Sequence, residues 1–196
     1  MAKTSDGVQN ILIVGVGGQG IILASEILAE VAMKSGFDVK KSEVHGMAQR
    51  GGIVSSHVRF GTQVHSPLIP LGEVGLLLSF ELGETLRWLG FLSSEGQVIA
   101  NCQKLIPPMV STGLAQYPEN IEETLRNRTH NPILVDAAEH ASDLGNVRLV
   151  NTILLGITSK ILALPMRTWK LVVGERVPPA LKELNLKALE RGHGLA

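Results

Sequence analysis

Two short stretches hold residue types whose spacing suits chemistry. The first is Gly15-Val16-Gly17-Gly18-Gln19-Gly20, a G-x-G-x-x-G pattern. Glycines at this spacing let a backbone turn through conformations that a Cβ opposes. Free N–H groups at the start of a following helix can then face an anion, with the helix dipole behind them. The function this offers is a cradle for phosphate or pyrophosphate; the plain alternative is a tight strand-to-helix turn with no ligand. The second stretch is Glu43-Val44-His45-Gly46-Met47-Ala48-Gln49-Arg50-Gly51-Gly52. It brings an imidazole able to shuttle a proton, a planar guanidinium fork matched to phosphate or carboxylate, and glycines that admit close approach. Read alone, it is equally a surface loop with a solvated arginine and a structurally bonded histidine. The candidate catalytic pair is His45 and Arg50. The candidate cofactor contacts are Gly15, Gly17, Gly18, Gln19, Gly20, Gly46, Gln49, Gly51 and Gly52. A nicotinamide fingerprint would add an acid near the end of the second strand, a place open to Glu43 and less well to Asp38.

These loops need strands and a helix to hold them. Ile11–Val14 is a short β-branched run and reads as a buried strand. Ile21–Ser35 follows as a helix with Ala24, Ile27, Leu28 and Val31 in one stripe and Gly36 as its C-terminal cap. Phe37–Val44 reads as the second strand, so both loops open on the carboxyl edge of the sheet. Ile53–Phe60 and Val64–Ile69 flank Gly61-Thr62-Gln63, which predicts a hairpin and some antiparallel pairing. Further strands are expected at Val74–Ser79, Gln97–Ala100 and Pro132–Val135. Helices are expected at Glu81–Leu92, Pro118–Arg128, Ala137–Leu144, Val150–Leu164 and Ala180–Arg191, the last opened by Pro178-Pro179. The fold class is α/β: one domain over 1–196, three layers in α/β/α order. It has a mixed, mostly parallel sheet, a Rossmann-like first βαβ unit and a C-terminal helical extension over 165–196.

Other polar residues have plain readings. His57 and Arg59 share one strand face, expected to be exposed. Glu81 and Glu84 read as first-turn acids on a solvated helix edge. Asn146 and Asn151 read as caps of the Val150–Leu164 helix, and Trp88, Trp169 and Cys102 as packing residues.

Composition narrows the function classes. Lys plus Arg equals Asp plus Glu at 18 each, so no global field recruits nucleic acid or an anionic membrane. One cysteine, Cys102, can form no intrachain disulfide and cannot alone ligate zinc or an iron–sulfur cluster. No signal-like segment or membrane-length apolar run is present, which leads to the expectation of a cytoplasmic protein.

The two loops taken together resemble the gamma-type domain of the 2-oxoacid:acceptor oxidoreductases. Ser79-Phe80-Glu81-Leu82-Gly83-Glu84-Thr85-Leu86-Arg87 is similar to that family's S-x-E-x-x-E-x-L-R stretch. Leu144-Gly145-Asn146-Val147-Arg148 and Asn151 to Gly156 are similar to its later G-N…N…G segment, a match that leaves a positional role open for Asn146 and Asn151 and raises Glu81 as an interface or site residue. Chain length and the H-G-M-A-Q-R-G-G form point to the two-subunit, indolepyruvate type. The resemblance implies oxidative decarboxylation of a 2-oxoacid to an acyl-coenzyme A with ferredoxin as electron acceptor. It implies no intrinsic cofactor here and a possible contact with coenzyme A. Thiamine diphosphate, Mg and Fe–S clusters would belong to a larger partner subunit, through which ferredoxin is reached. Two other readings stay open: a free-standing nicotinamide- or flavin-dependent oxidoreductase, and a nucleotide-sensing assembly module.

Overall fold

The computed structural model describes residues 7–45, 52–106, 108–111, 113 and 116–196. Strand β1 (Gln9–Val16) sits in the interior of a six-stranded sheet. Ile11, Leu12, Ile13 and Val14 are all fully buried, as a strand covered on both faces requires. It leads through the glycine turn into α1 (Ile21–Lys34), whose buried stripe is the predicted one extended to Ile21, Ser25 and Ala32. Burial of Ile21, Ile27, Leu28 and Val31 in that stripe stabilises by about 1.5–3 kcal/mol each. The helix stops as its sequence requires. Gly36 takes φ 90 and donates to Met33 O, and Phe37 N donates to Ala32 O, a double closure that suits a left-handed glycine.

The next strands depart from the simple βαβ expectation. β2 (Asp38–His45) forms an edge of the sheet and pairs antiparallel with β3 (Ile53–Gly61). β3 then pairs antiparallel with β1 along its whole length. β2 therefore runs parallel to β1 with β3 inserted between them. β4 (Val74–Ser79), β5 (Leu92–Asn101) and β6 (Ile133–Val135) add in parallel on the other side. The order is β2-β3-β1-β4-β5-β6, with β3 alone reversed.

The hairpin predicted around Gly61-Thr62-Gln63 is not formed, because both edges of β3 are taken by β1 and β2. The chain at 62–73 instead crosses the sheet as a loop tied down by polar side chains. Val64 N donates to Asp38 Oδ2 (2.7 Å) and Ile69 N to His57 Nδ1 (3.2 Å). Arg59 Nη1 donates to Ser66 O and Leu68 O, and its Nε to Asn10 Oδ1. His57 and Arg59 thus lie under a loop rather than on an exposed face, and burial pushes the His57 imidazole below its ordinary pKa.

Side chains of the sheet alternate between two helical layers. Ile11, Ile13, Leu76, Leu78 and Ile99 meet α1, α5 (Ala137–Asp143), α6 (Val150–Ile161), α7 (Met166–Arg176) and α8 (Lys182–His193). Leu12, Val14, Leu77, Val98 and Ala100 meet α2 (Leu82–Trp88) and α4 (Ile121–Arg128). A short α3 (Pro108–Ser111) lies between β5 and α4. The segment 165–196, expected as a helical extension, is α7 and α8. Its Trp169, Val172, Val173, Ala188 and Leu189 are fully buried in the same core as β1. α8 crosses α6 at glycine-to-glycine contact: a Cβ on Gly156 would lie 2.3 Å from Leu189 O, and one on Gly192 2.0 Å from Ile153 O.

Candidate functional site

The carboxyl ends of β1, β4 and β5, with Gly52 just before β3, form one rim. Within the glycine loop, each residue has a separate task. Gly15 closes β1 against the next strand's exit, where a Cβ would stand 2.9 Å from Phe80 Cβ and 2.7 Å from Gln19 Oε1. Gly18 and Gly20 carry the left-handed turn at φ 102 and 83. Gly20 is the N-cap of α1, no side chain among the described residues caps that helix, and its first turn holds no acid. Exposed N–H groups at an uncapped helix start make a potential that favours an anion.

Gln19, expected to reach a cofactor, has its side chain engaged within the chain. Its Oε1 accepts from Val16 N at 2.8 Å, and its Nε2 donates to Phe80 O and Gln103 Oε1, each at 3.0 Å. It acts as a clamp that joins the turn to the ends of β4 and β5. Gly17 N donates to Gly52 O at 2.8 Å, a direct backbone tie from the first loop to the second. The structure therefore brings Gly15, Gly17, Gly18, Gln19, Gly20 and Gly52 together at one rim. The backbone of His45 ends β2 opposite Val54. The His45 side chain, with Gly46, Gln49, Arg50 and Gly51, lies outside the described residues.

Glu43, the acid considered for a ribose, faces α1. Its carboxylate accepts from Lys41 Nζ at 2.6 Å and from Ser25 Oγ at 3.3 Å. In a dinucleotide site the strand bearing that acid lies next to β1, whereas here β3 intervenes.

Two rim residues have roles that composition and periodicity did not reveal. Glu81 is 2% exposed. It is the N-cap of α2, accepts from Glu84 N (2.8 Å) and Leu105 N (3.1 Å), and also accepts from the Tyr117 hydroxyl. Burial first, and the bond to Glu81 second, push the Tyr117 phenol well above its usual pKa. Glu84 is buried as well, and burial raises its pKa against the opposing pull of Arg87. The expected solvated edge is thus a buried carboxylate cluster that fastens the chain after β5 over the rim. Asn146 does cap the turn before α6, accepting from Arg148 N. Asn151 is not a cap: its Nδ2 donates to Gly20 O at 2.7 Å. The only sequence signal for Glu81 and Asn151 was the family-like spacing around them.

Among the described residues, no group of three or more His, Cys, Asp or Glu is placed to hold a metal ion. Among the same residues, no helix is long and apolar enough to cross a membrane.

The family model described as pyruvate ferredoxin/flavodoxin oxidoreductase matches residues 10–195. The chain is 41% identical to the indolepyruvate oxidoreductase subunit IorB of Archaeoglobus fulgidus, covering 95% of this chain and 94% of that one. A crystal structure of the keto/oxoacid ferredoxin oxidoreductase gamma subunit from Geobacter sulfurreducens has the same fold. It superposes with TM-score 0.71 at 24% identity, over 96% of this chain and 98% of that one. The 2-oxoglutarate:ferredoxin oxidoreductase of Magnetococcus marinus matches 96% of this chain with 31% of its own, at TM-score 0.72 and 18% identity.

Proposed function

We propose, from the premise that this chain belongs to the pyruvate ferredoxin/flavodoxin oxidoreductase family, that it is the small subunit of a 2-oxoacid:ferredoxin oxidoreductase acting on aryl pyruvates such as indolepyruvate. The complex would decarboxylate the oxoacid oxidatively, join the acyl group to coenzyme A and pass the electrons to ferredoxin. The observation that carries this reading is the near full-length 41% identity to an indolepyruvate oxidoreductase subunit.

The division of labour follows from what this chain can hold. One cysteine cannot ligate an iron–sulfur cluster, so the clusters belong to a larger partner, as do thiamine diphosphate and Mg. Those groups supply the electron sink for loss of CO2 and the path to ferredoxin. This chain's part is to complete the partner's site. The uncapped start of α1 and the left-handed turn at Gly18 and Gly20 suit a phosphate of coenzyme A. Gly17 N donates to Gly52 O, which supports a second contribution from the His45–Gly52 stretch, in which Arg50 would bind a carboxylate or phosphate and His45 would move a proton. Gly46, Gln49, Gly51 and Gly52 would allow close approach of the ligand. The complex is assigned to the cytoplasm, with no nucleic-acid or membrane partner. The nicotinamide reading loses support because Glu43 is engaged by Lys41 and Ser25.

The test is partner dependence. The isolated chain should be colourless and inactive. With its larger subunit it should reduce ferredoxin or a viologen dye with an aryl pyruvate, and only when coenzyme A is present. Turnover by this chain alone, or an assembled enzyme indifferent to coenzyme A, would reject the assignment.

A further inference from the structure

Asn151 lies in the first turn of α6, 131 positions along the chain from the glycine it holds. Gly20 O accepts both the Asn151 amide (2.7 Å) and the first intrahelical bond of α1, from Ala24 N (3.0 Å). The approach is close enough to demand glycine, since a Cβ on Gly20 would stand 2.6 Å from Asn151 Nδ2, and φ there is 83. Asn151 itself is only 9% exposed, and its Oδ1 is buried with no hydrogen-bond partner among the described residues. Buried polar atoms are normally bonded. Among the described residues, only one half of its amide contributes a bond, and that bond is to the glycine loop. It does not cap its own helix, where Leu149 is the N-cap and no side chain bonds the helix start.

We propose that Asn151 is a positioning residue: its amide fixes the carbonyl of Gly20, and with it the direction in which the first-turn N–H groups of α1 leave the glycine loop toward a phosphate-bearing ligand. This rests on the reading that the loop meets such a ligand. The loop is then held from two sides. Gln19 ties it to β4 and to Gln103 beyond β5, and Asn151 ties it to α6. Replacing Asn151 by alanine removes together one good bond and one acceptor that is unpaired among the described residues. The two changes offset each other in folding stability, while the anchor of the loop is lost.

The experiment compares wild-type and Asn151→Ala in the complex with the larger subunit, with Asn151→Asp as a second variant. Asp keeps the shape but turns an acceptor toward Gly20 O. Three quantities are measured: melting temperature, amide hydrogen exchange at the bonded amides Gln19 and Ala24, and coenzyme A affinity by calorimetric titration without oxoacid. The expected result is a melting temperature little changed in Asn151→Ala and faster exchange confined to Gln19 and Ala24. Coenzyme A affinity should fall about tenfold, the size expected if the misdirected N–H groups lose the worth of one hydrogen bond to the phosphate. kcat at saturating coenzyme A should be largely kept, and Asn151→Asp should be worse than alanine. Unchanged exchange at Gln19 and Ala24 would overturn the proposal. So would a general rise in exchange with a matching drop in melting temperature, the mark of an ordinary structural bond. Faster local exchange with unaltered coenzyme A affinity would keep Asn151 as the anchor of the turn and refute its action on the ligand, which places the failure in the ligand reading.

Discussion

Replacing Glu81 by glutamine tests whether the carboxylate cluster holds the rim. The carboxylate accepts through both oxygens: Oε2 takes Glu84 N, and Oε1 takes Leu105 N and the Tyr117 hydroxyl. Glutamine has one acceptor oxygen. If that oxygen faces Leu105 and Tyr117, the new NH2 points at Glu84 N and the cap of α2 is lost, at a cost of about 0.5–2 kcal/mol. If the amide flips, the NH2 meets Leu105 N, again donor against donor, although the Tyr117 hydroxyl can turn to accept. Either way one charge-assisted bond disappears and the survivors become neutral. Bonds to charged groups contribute about 1.5–3 kcal/mol each, and an orphaned buried donor adds to the loss, so a total near 3 kcal/mol is expected. For a chain of this size that is about 6–12 °C in melting temperature. The assay is thermal unfolding of the isolated subunit, with hydrogen exchange followed at Leu105. A shift below about 2 °C, or protection at Leu105 equal to wild type, would refute the claim that Glu81 fastens the chain after β5. Because Gln103 lies in that segment and bonds Gln19, coenzyme A affinity of the assembled enzyme should fall too.

Three more outcomes follow from geometry already described. Gly18→Ala meets no atom of the described residues within 4 Å but must hold φ 102; a stability loss of about 1–2 kcal/mol is expected, with a larger loss of coenzyme A affinity, and equal affinity would remove Gly18 from the ligand site. Gly156→Ala gains helix propensity yet drives a methyl to 2.3 Å from Leu189 O, so urea unfolding should show a net loss of about 1–3 kcal/mol, and a gain would mean that α8 yields freely. His57 has a folded pKa below its ordinary value of about 6.5, so the unfolded chain binds its proton first; stability is fully present above about 6.5 and should fall as pH drops below it toward the folded pKa. The slope of unfolding free energy with pH just below 6.5 should be shallower in His57→Leu, and an equal slope would assign the acid sensitivity elsewhere.

Local signals were legible and distant ones were not. The start and end of α1 follow from Gly20 and Gly36 within a few residues of sequence, and its buried stripe follows from a 3.6 period. The position of β3 does not, because strand pairing is non-local. The turn-like Gly61-Thr62-Gln63 suggested a hairpin to one side, while β3 in fact pairs with β2 and β1, the strands before it. Burial of Glu81 and His57 was equally hidden, since each is covered by a loop with no periodicity of its own. Asn151 looked like a cap because asparagine caps helices, and its true partner lies 131 residues away. The glycine loop was found by pattern, but that the Gln19 amide turns inward could be known only once Phe80 and Gln103 were in place.

The glycine-to-glycine crossing of α6 and α8 has a consequence for how the molecule is made. Synthesis delivers β1 first among the described strands and α8 last among the helices, yet Ala188 and Leu189 complete the core that covers Ile11 and Ile13. A nascent chain that has finished the sheet still presents an apolar, unroofed surface on that side until α8 emerges and docks. Vectorial folding therefore cannot proceed element by element to a finished product, and the closing step is the seating of two helix backbones against each other. Shortening the chain before Lys182 would be expected to leave a species with its sheet formed and the α8 part of its roof missing, the kind of exposed intermediate that aggregates or engages chaperones.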